Sequence, residues 1–411
     1  MDMAGRARDA GQGAERLARR NALLLSAAQA IGGSAAPIAI SMGGLAGFYL
    51  LGADKSLATA PVTGFNLGVA MGALPAAWIM RRIGRRYGFM GGTVMTAMGG
   101  LLTAIALFRH EFWLFAVGMV LVGMGGSFVQ QYRFAAADAS PTNFKAQAIS
   151  WVLAGGIFAA VIGPQTVIYT REFFAPVMFA GSFAAMLPLA MIAAGILFFL
   201  RIPDDTKPGD VGHDNEPARP LIEIITQRRF VTAMICGVGS YALMTFMMTG
   251  APLAMVGCGF SADLATLGIQ WHVMAMFAPS FFTGRLIARF GRDAIVATGL
   301  GILLCCAVVA HMGIELWNFW LALVLLGLGW NFGFIGATAM VTSTYRQSEK
   351  NKVQGFHDVT LFSIVSFASL MSGQVLNAWG WDALNMLIWP VALTCLLVLG
   401  AQVLSDRRSA V

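Results

Sequence analysis

The sequence predicts an all-α integral membrane protein, with twelve transmembrane helices in two pseudo-symmetric six-helix bundles. Three observations predict it. Charged residues make up only 11% of the 411-residue chain, where soluble domains carry about 25%. The apolar residues gather into twelve runs, each near the ~20 residues that cross a hydrocarbon core. The lysines and arginines fall almost wholly into alternate gaps between those runs. Inside hydrocarbon every backbone amide needs an internal partner, so each run can only be a helix. The 48 glycines agree, since glycine is more frequent in membrane helices than in soluble ones.

In chain order, residues 1–21 form a basic cytoplasmic segment. Its charged lead is long and no small-residue cleavage site follows a short apolar core, so it does not read as a secretory signal. The first bundle, 22–200, holds runs at 22–49, 58–80, 89–108, 112–137, 146–169 and 176–200. Residues 201–229 follow as a cytoplasmic linker: "RIPDDTKPGDVGHDNEPARP" reads as flexible, and "LIEIITQRRF" as a short amphipathic helix lying at the interface. The second bundle, 230–404, holds runs at 230–257, 263–287, 294–312, 317–342, 353–377 and 382–404, and 405–411 is a cytoplasmic tail.

The net charge of +7 is explained by its distribution. With the N-terminus inside, 23 of the 27 Lys/Arg lie in cytoplasmic gaps and only Lys55, Arg109 and Arg171 lie opposite. Arg133 sits within a run. That asymmetry predicts a multi-pass protein of the cytoplasmic (inner) membrane with both termini cytoplasmic, and a bilayer rather than nucleic acid as the partner of its charge. Cys236, Cys258, Cys305, Cys306 and Cys395 sit in apolar runs without metal-ligand spacing and read as small packing residues. No metal or cofactor is expected. No nucleotide-binding loop, paired carboxylates or His/Cys cluster suggests an enzyme, so any energy would come from a gradient.

The chain repeats itself. "RRIGRR" is echoed by "ARFGRD", with Arg82, Gly84 and Arg85 matching Arg289, Gly291 and Arg292 at an offset of 207. "FKAQA" and "NKVQG" match at the same offset, and "LVGMGGSF" and "LLGLGWNF" at 204. Two six-helix repeats, each with a basic glycine-centred loop after its second helix, resemble the major facilitator superfamily of secondary transporters. The resemblance runs from about residue 22 to 405. It implies two bundles that rock about a substrate site near the membrane midplane, and a monomer. "IQWHVMAMFAPSFFTG" (269–284), "GWNFGFIGATAMVTSTY" (329–345) and "KVQGFHDVTLF" (352–362) are similar to a bacterial subgroup that includes riboflavin uptake carriers.

The Arg81–Arg86 cluster is first a topological signal. The resemblance adds a conformational-switch role for Arg81, Arg82, Arg85, Asp138, Arg289 and Arg292, with Asp138 expected to pair with Arg82 or Arg85. The chain departs from the family pattern here: Arg81 and Ala288 stand where an aspartate is usual. Gly118 also replaces an arginine that the family often carries in its fourth helix. "GGIFAAVIGP" only partly matches a pattern associated with exporters, because Ala159 stands at a glycine position.

Ionisable residues at membrane depth are expensive and so are candidates for function. Arg133 lies about 7–8 Å inside the fourth helix, counted from Asp138, and shares a face with Gln130. Snorkelling to the interface is the competing reading. Asp358 lies ~9 Å inside the eleventh helix, counted from Lys352. It could pair with Arg133 as a gate, or locally with Lys352 or His357. His272 is the deepest histidine and a candidate proton carrier, or else a buried imidazole bonded to a neighbouring helix. Gln270 and His272 are ~200° apart on the helix, so at most one faces a cavity squarely.

The remaining substrate-binding candidates are Gln29, Asn66, Gln130, Gln131, Tyr132, Arg133, Tyr241, Gln270, Trp271, Trp330 and Asn331. Amides and aromatics with few acids suit a small, planar, weakly charged solute, with a flavin as the best example. The glycine runs read as close-packing helix surfaces. The expected function is therefore secondary active transport of a riboflavin-like heteroaromatic solute, coupled to H+. The alternatives are a drug efflux pump of the same fold or a non-transporting membrane receptor.

Overall fold

The computed structural model describes residues 3–141, 144–202 and 218–409. They contain sixteen α-helices and no strand. The first eight are α1 (Met3–Gly32), α2 (Ala35–Leu50), α3 (Ala60–Phe108), α4 (Phe112–Val129), α5 (Tyr132–Asp138), α6 (Lys145–Thr170), α7 (Ala180–Ala184) and α8 (Met186–Phe198). The rest are α9 (Leu221–Ile225), α10 (Arg228–Gly257), α11 (Ala262–Phe277), α12 (Ser280–Phe290), α13 (Arg292–His311), α14 (Leu316–Val341), α15 (Lys350–Met386) and α16 (Ile388–Ser409).

Nine helical stretches among the described residues are long and apolar enough to cross a membrane. Two of them are double: Ala60–Phe108 has 49 residues and Lys352–Asp406 has 55, about twice what a ~30 Å core requires. α11 and α12 together make one more crossing, so the twelve expected spans are accounted for. The double helix α3 is interrupted at Gly84, with φ 82° and ψ 158°. Its counterpart Gly291, between α12 and α13, has φ 86° and ψ 159°. Glycine alone takes this left-handed conformation without steric cost, so the repeat seen in sequence is also a repeat of backbone geometry.

Other details differ from expectation. The amphipathic segment is a five-residue helix, α9, with Ile224 buried and Ile222 exposed. Arg228 and Arg229 already belong to α10. Most of the expected flexible linker, 203–217, lies outside the described residues. The first span is broken between α1 and α2, where the Ser34 hydroxyl donates to the Ile31 carbonyl at 2.5 Å.

The chain divides into two compact units, Met1–Ala39 with Leu67–Asp210 and Ile40–Asn66 with Val211–Val411. In the first, Leu25, Phe89, Phe128, Tyr132, Phe144 and Leu197 form a buried core. In the second, residues 40–66 pack with the C-terminal helices. There the Thr59 hydroxyl donates to the Leu370 carbonyl at 3.3 Å. α13 and α14 pack at backbone distance: a Cβ on Gly299 would lie 2.3 Å from the Gly333 amide nitrogen. Cys236 and Cys395 pack between α10 and α16, each sulfur directed at a carbonyl of the other helix.

Just outside the α14 and α15 spans, the second unit contains a buried carboxylate that the sequence reading missed. Glu349 is fully buried, accepts from the Arg219 backbone amide, Nε and Nη2 at 2.8–2.9 Å, and accepts from the Arg346 amide at 2.9 Å. Lys352 donates to the Arg219 carbonyl. The Arg219 side chain holds the Glu349 carboxyl well below the usual range, with the two backbone amides assisting.

Two outcomes follow. Gly299→Val destabilises the protein by about 1–3 kcal/mol through overpacking, seen as a lower melting temperature of the purified chain. Glu349→Gln destabilises it by about 3 kcal/mol, because the buried charged acceptor for the Arg219 guanidinium and two backbone amides is lost. The folded-state pKa of Glu349 is depressed. Its stabilisation is therefore complete above the unfolded value of about 4.3 and is lost only as pH falls towards the lowered one. The gap in melting temperature between wild type and Glu349→Gln should stay flat from pH 8 to about pH 5.5.

Candidate functional site

The second unit holds an aromatic group assembled from three helices. Trp330 and Phe334 are one turn apart on α14, and their rings stack at 5.2 Å with 17° between planes. Tyr241 of α10 meets both edge-on, at 5.4 and 5.0 Å. Phe362 of α15 lies 6.1 Å from Tyr241. Such pairs are favourable beyond the area they bury. The stripe continues to Thr338 on the same face of α14. The Trp330 indole nitrogen and the Thr338 hydroxyl are buried without a hydrogen-bond partner among the described residues. A buried donor left unpaired costs about 1–3 kcal/mol, so this face is preorganised to give a hydrogen bond. Phe334 and Phe362 were not among the sequence candidates. The i, i+4 spacing of Phe334 from Trp330 was the available signal.

Asn331 is adjacent to Trp330 in sequence but points about 100° away on the helix, and it has a different role. Its amide donates to the Met276 carbonyl at 2.6 Å and the Ser280 hydroxyl at 2.8 Å, and accepts from Thr283 at 2.6 Å. All four groups meet at the break between α11 and α12, so Asn331 staples that break. His272 is likewise internal: fully buried, its Nδ1–H donates to the Leu323 carbonyl at 2.8 Å. That tie joins α11 to α14 and leaves Nε2 as a buried acceptor. Gln270 is buried and Trp271 is 42% exposed. His357 bonds its neighbour Asp358 through Nδ1 at 2.9 Å, and the Asp358 side chain is half exposed.

In the first unit the helix breaks at Gln130 and Gln131, between α4 and α5. Both residues of that junction keep right-handed helical dihedrals, φ −57° and ψ −25° at Gln130 and φ −85° and ψ −11° at Gln131. Gln130 is exposed and Gln131 half-buried. Tyr132 is a core residue, fully buried and edge-on to Phe89 at 4.8 Å. Arg133 lies 4.8 Å over the Phe134 ring. Gln29 is half-buried in the last turn of α1. Asn66 falls within the second unit, its amide nitrogen buried and without a partner among the described residues. Arg133 and Asp358 belong to different units.

Of the basic-loop residues, Arg85 pairs with Asp138 at 2.5 Å, and Arg82 lies 4.9 Å over the Trp78 ring. Arg81 is exposed and has no carboxylate partner among the described residues. In the second copy Arg289 lies over Phe290 at 5.3 Å. The carboxylates there, Asp293 and Asp406, are reached by Arg229 at 3.9 and 3.8 Å rather than by Arg292. No group of three or more metal-ligating side chains occurs among the described residues.

An all-helical membrane chain that repeats one left-handed glycine break in each half is built as a two-bundle secondary transporter. It belongs to the Major Facilitator Superfamily, whose family model matches residues 21–369. The chain is 49% identical over 382 residues to the riboflavin transporter RfnT of Brucella anthropi, covering 93% of this chain and 95% of that one. It is 28% identical over 387 residues to YdeG, an uncharacterised transporter of the same superfamily from Bacillus subtilis, covering 90% and 89%. Its fold matches the crystal structure of the nucleoside transporter NupG with a TM-score of 0.69 at 12% identity, over 94% of this chain and 99% of that one.

Asn331→Leu leaves the polar groups of the α11–α12 break unpaired and costs about 1–3 kcal/mol. Thermal unfolding should show the loss. Gln131→Leu, at a half-buried position with no such staple, should shift the melting temperature much less.

Proposed function

We propose that this protein carries riboflavin, or a closely similar planar heteroaromatic solute, inward across the cytoplasmic membrane by alternating access coupled to protons. The observation that carries the reading is the Trp330–Phe334 stack braced by Tyr241, with the indole N–H beside it unpartnered. A fused, flat ring with carbonyl and ring-nitrogen acceptors can stack against these aromatics and accept that N–H. A dicarboxylate or an inorganic ion would find no fixed positive charge in this group. The riboflavin activity of the 49%-identical Brucella anthropi relative supports the same solute class.

In this reading Asn66 and Gln270 are the amides of the second unit from which ring-edge contacts are drawn, Trp271 is a second stacking surface there, and Gln29, Gln130 and Gln131 are the amide candidates within the first unit. Energy comes from a gradient. His357 with Asp358 is the proton-responsive pair we favour over His272, because Asp358 is open to solvent and His272 is sealed. The basic loops keep both termini cytoplasmic. The protein works as a monomer of two bundles, 22–200 and 230–404, joined by the 201–229 linker.

Riboflavin should raise the melting temperature of the purified protein, since a ligand bound only by the folded state stabilises it by ~2.7 kcal/mol at a hundredfold excess over Kd. Trp330→Ala and Phe334→Ala should each weaken riboflavin affinity about tenfold. Unchanged affinity in both variants contradicts the site. Stabilisation by diverse lipophilic cations but not by flavins contradicts the solute.

A further inference from the structure

The strongest unassigned feature lies on the arginine-rich side of the first unit, where the middle of α1 and the stretch of α3 just after its Gly84 break both reach the C-terminal end of α8. Arg20 of α1 donates to the Phe199 carbonyl at 3.1 Å. Arg86 of α3 places its guanidinium carbon 4.4 Å over the Phe198 ring and 5.4 Å from the Tyr87 ring. Its Nε is buried without a hydrogen-bond partner among the described residues, as is Nη1 of the adjacent Arg85. Neither Arg20 nor Arg86 has a carboxylate partner there. Asp138, the carboxylate of this region, is taken by Arg85. The site is therefore left with uncompensated positive charge and N–H donors awaiting an acceptor.

The repeat sharpens the contrast. At the internal offset of 207, Arg86 corresponds to Asp293. The second copy thus carries its own anion at the start of the helix after the glycine break, and Arg229 pairs with it. The first copy has an arginine at that position. Around it Trp78, Tyr87, Phe198 and Phe199 are all more than half exposed. Aromatics at that density, beside a topological arginine cluster, form a membrane-interface shelf.

We propose that Arg20 and Arg86 bind the phosphate of an anionic phospholipid of the cytoplasmic leaflet, with Phe198 and Tyr87 flanking its glycerol and upper acyl region. Arginine matches phosphate oxygens through paired N–H donors. Basic pockets between membrane helices on this side hold acidic head groups. The exposed rings favour a lipid over a soluble phosphate, which would leave them in contact with nothing.

The test uses the full-length protein in neutral detergent, with thermal melts against added dioleoylphosphatidylglycerol, dioleoylphosphatidylcholine, inorganic phosphate and glycerol 3-phosphate. Phosphatidylglycerol should raise the melting temperature more than phosphatidylcholine, and the two soluble phosphates should not. Arg20→Gln with Arg86→Gln should weaken phosphatidylglycerol binding about 25-fold, a factor near five per arginine. Arg289→Gln with Arg292→Gln, in the second copy, should leave it intact. If the first pair fails to fold, native mass spectrometry of the wild type decides: phosphatidylglycerol retained in preference to phosphatidylcholine supports the site. Equal effects of the two lipids, equal retention, or persistence of the preference in the Gln pair overturns it. Stabilisation by inorganic phosphate or glycerol 3-phosphate overturns the lipid assignment.

Discussion

The constraint on which this structure depends is that a membrane helix can be interrupted only where its released backbone groups find partners nearby. Several of the interruptions here have a local solution. Ser34 bonds back across the break in the first span. Gly84 and Gly291 supply the left-handed turns that the basic loops need. At the α11–α12 break a side chain from a third helix, Asn331, binds Met276, Ser280 and Thr283. α14 therefore does two things at once: one face staples a neighbouring break through Asn331, and the preceding residue, Trp330, begins the aromatic stripe. The Trp330–Phe334 stack and the Asn331 staple are carried by the same stretch of one helix.

Charge is handled by the same logic. Where a carboxylate is buried, as at Glu349, it is saturated by a guanidinium and two backbone amides, since an unpaired buried charge is far costlier than a paired one. Where arginines lack carboxylates they rest on aromatic faces, as Arg82 does on Trp78 and Arg86 on Phe198. Cation–π contacts at exposed sites contribute about 0.5–1 kcal/mol each, enough to orient a guanidinium without neutralising it. The second half has shed one of these positive charges, with Asp293 at the position equivalent to Arg86. The two halves share the glycine break but carry opposite charges at this position.

Much of the fold was legible in the sequence, because hydropathy and charge alternation are determined by the membrane rather than by partners. The twelve spans and the repeat were both visible in this way. The site was legible only in part. Trp330 and Tyr241 could be named from residue type, whereas Phe334 and Phe362 looked like ordinary members of apolar runs. Asn331 and Trp330 are adjacent and equally plausible as ligand contacts by composition. What separates them is the break in another helix that Asn331 faces, and no local pattern encodes that. Tyr132 likewise carries a polar group but is placed in the core by Phe89 and Phe128. The Arg219–Glu349 pair spans 130 residues and left no local trace.

The measurement that tests the central claim most directly is uptake of radiolabelled riboflavin by proteoliposomes containing the purified protein, with and without an imposed inward proton gradient. The account predicts accumulation above the external concentration when the gradient is present, collapsing to equilibration when a protonophore dissipates it. Liposomes that take up no more riboflavin than protein-free controls, under either condition, would contradict it.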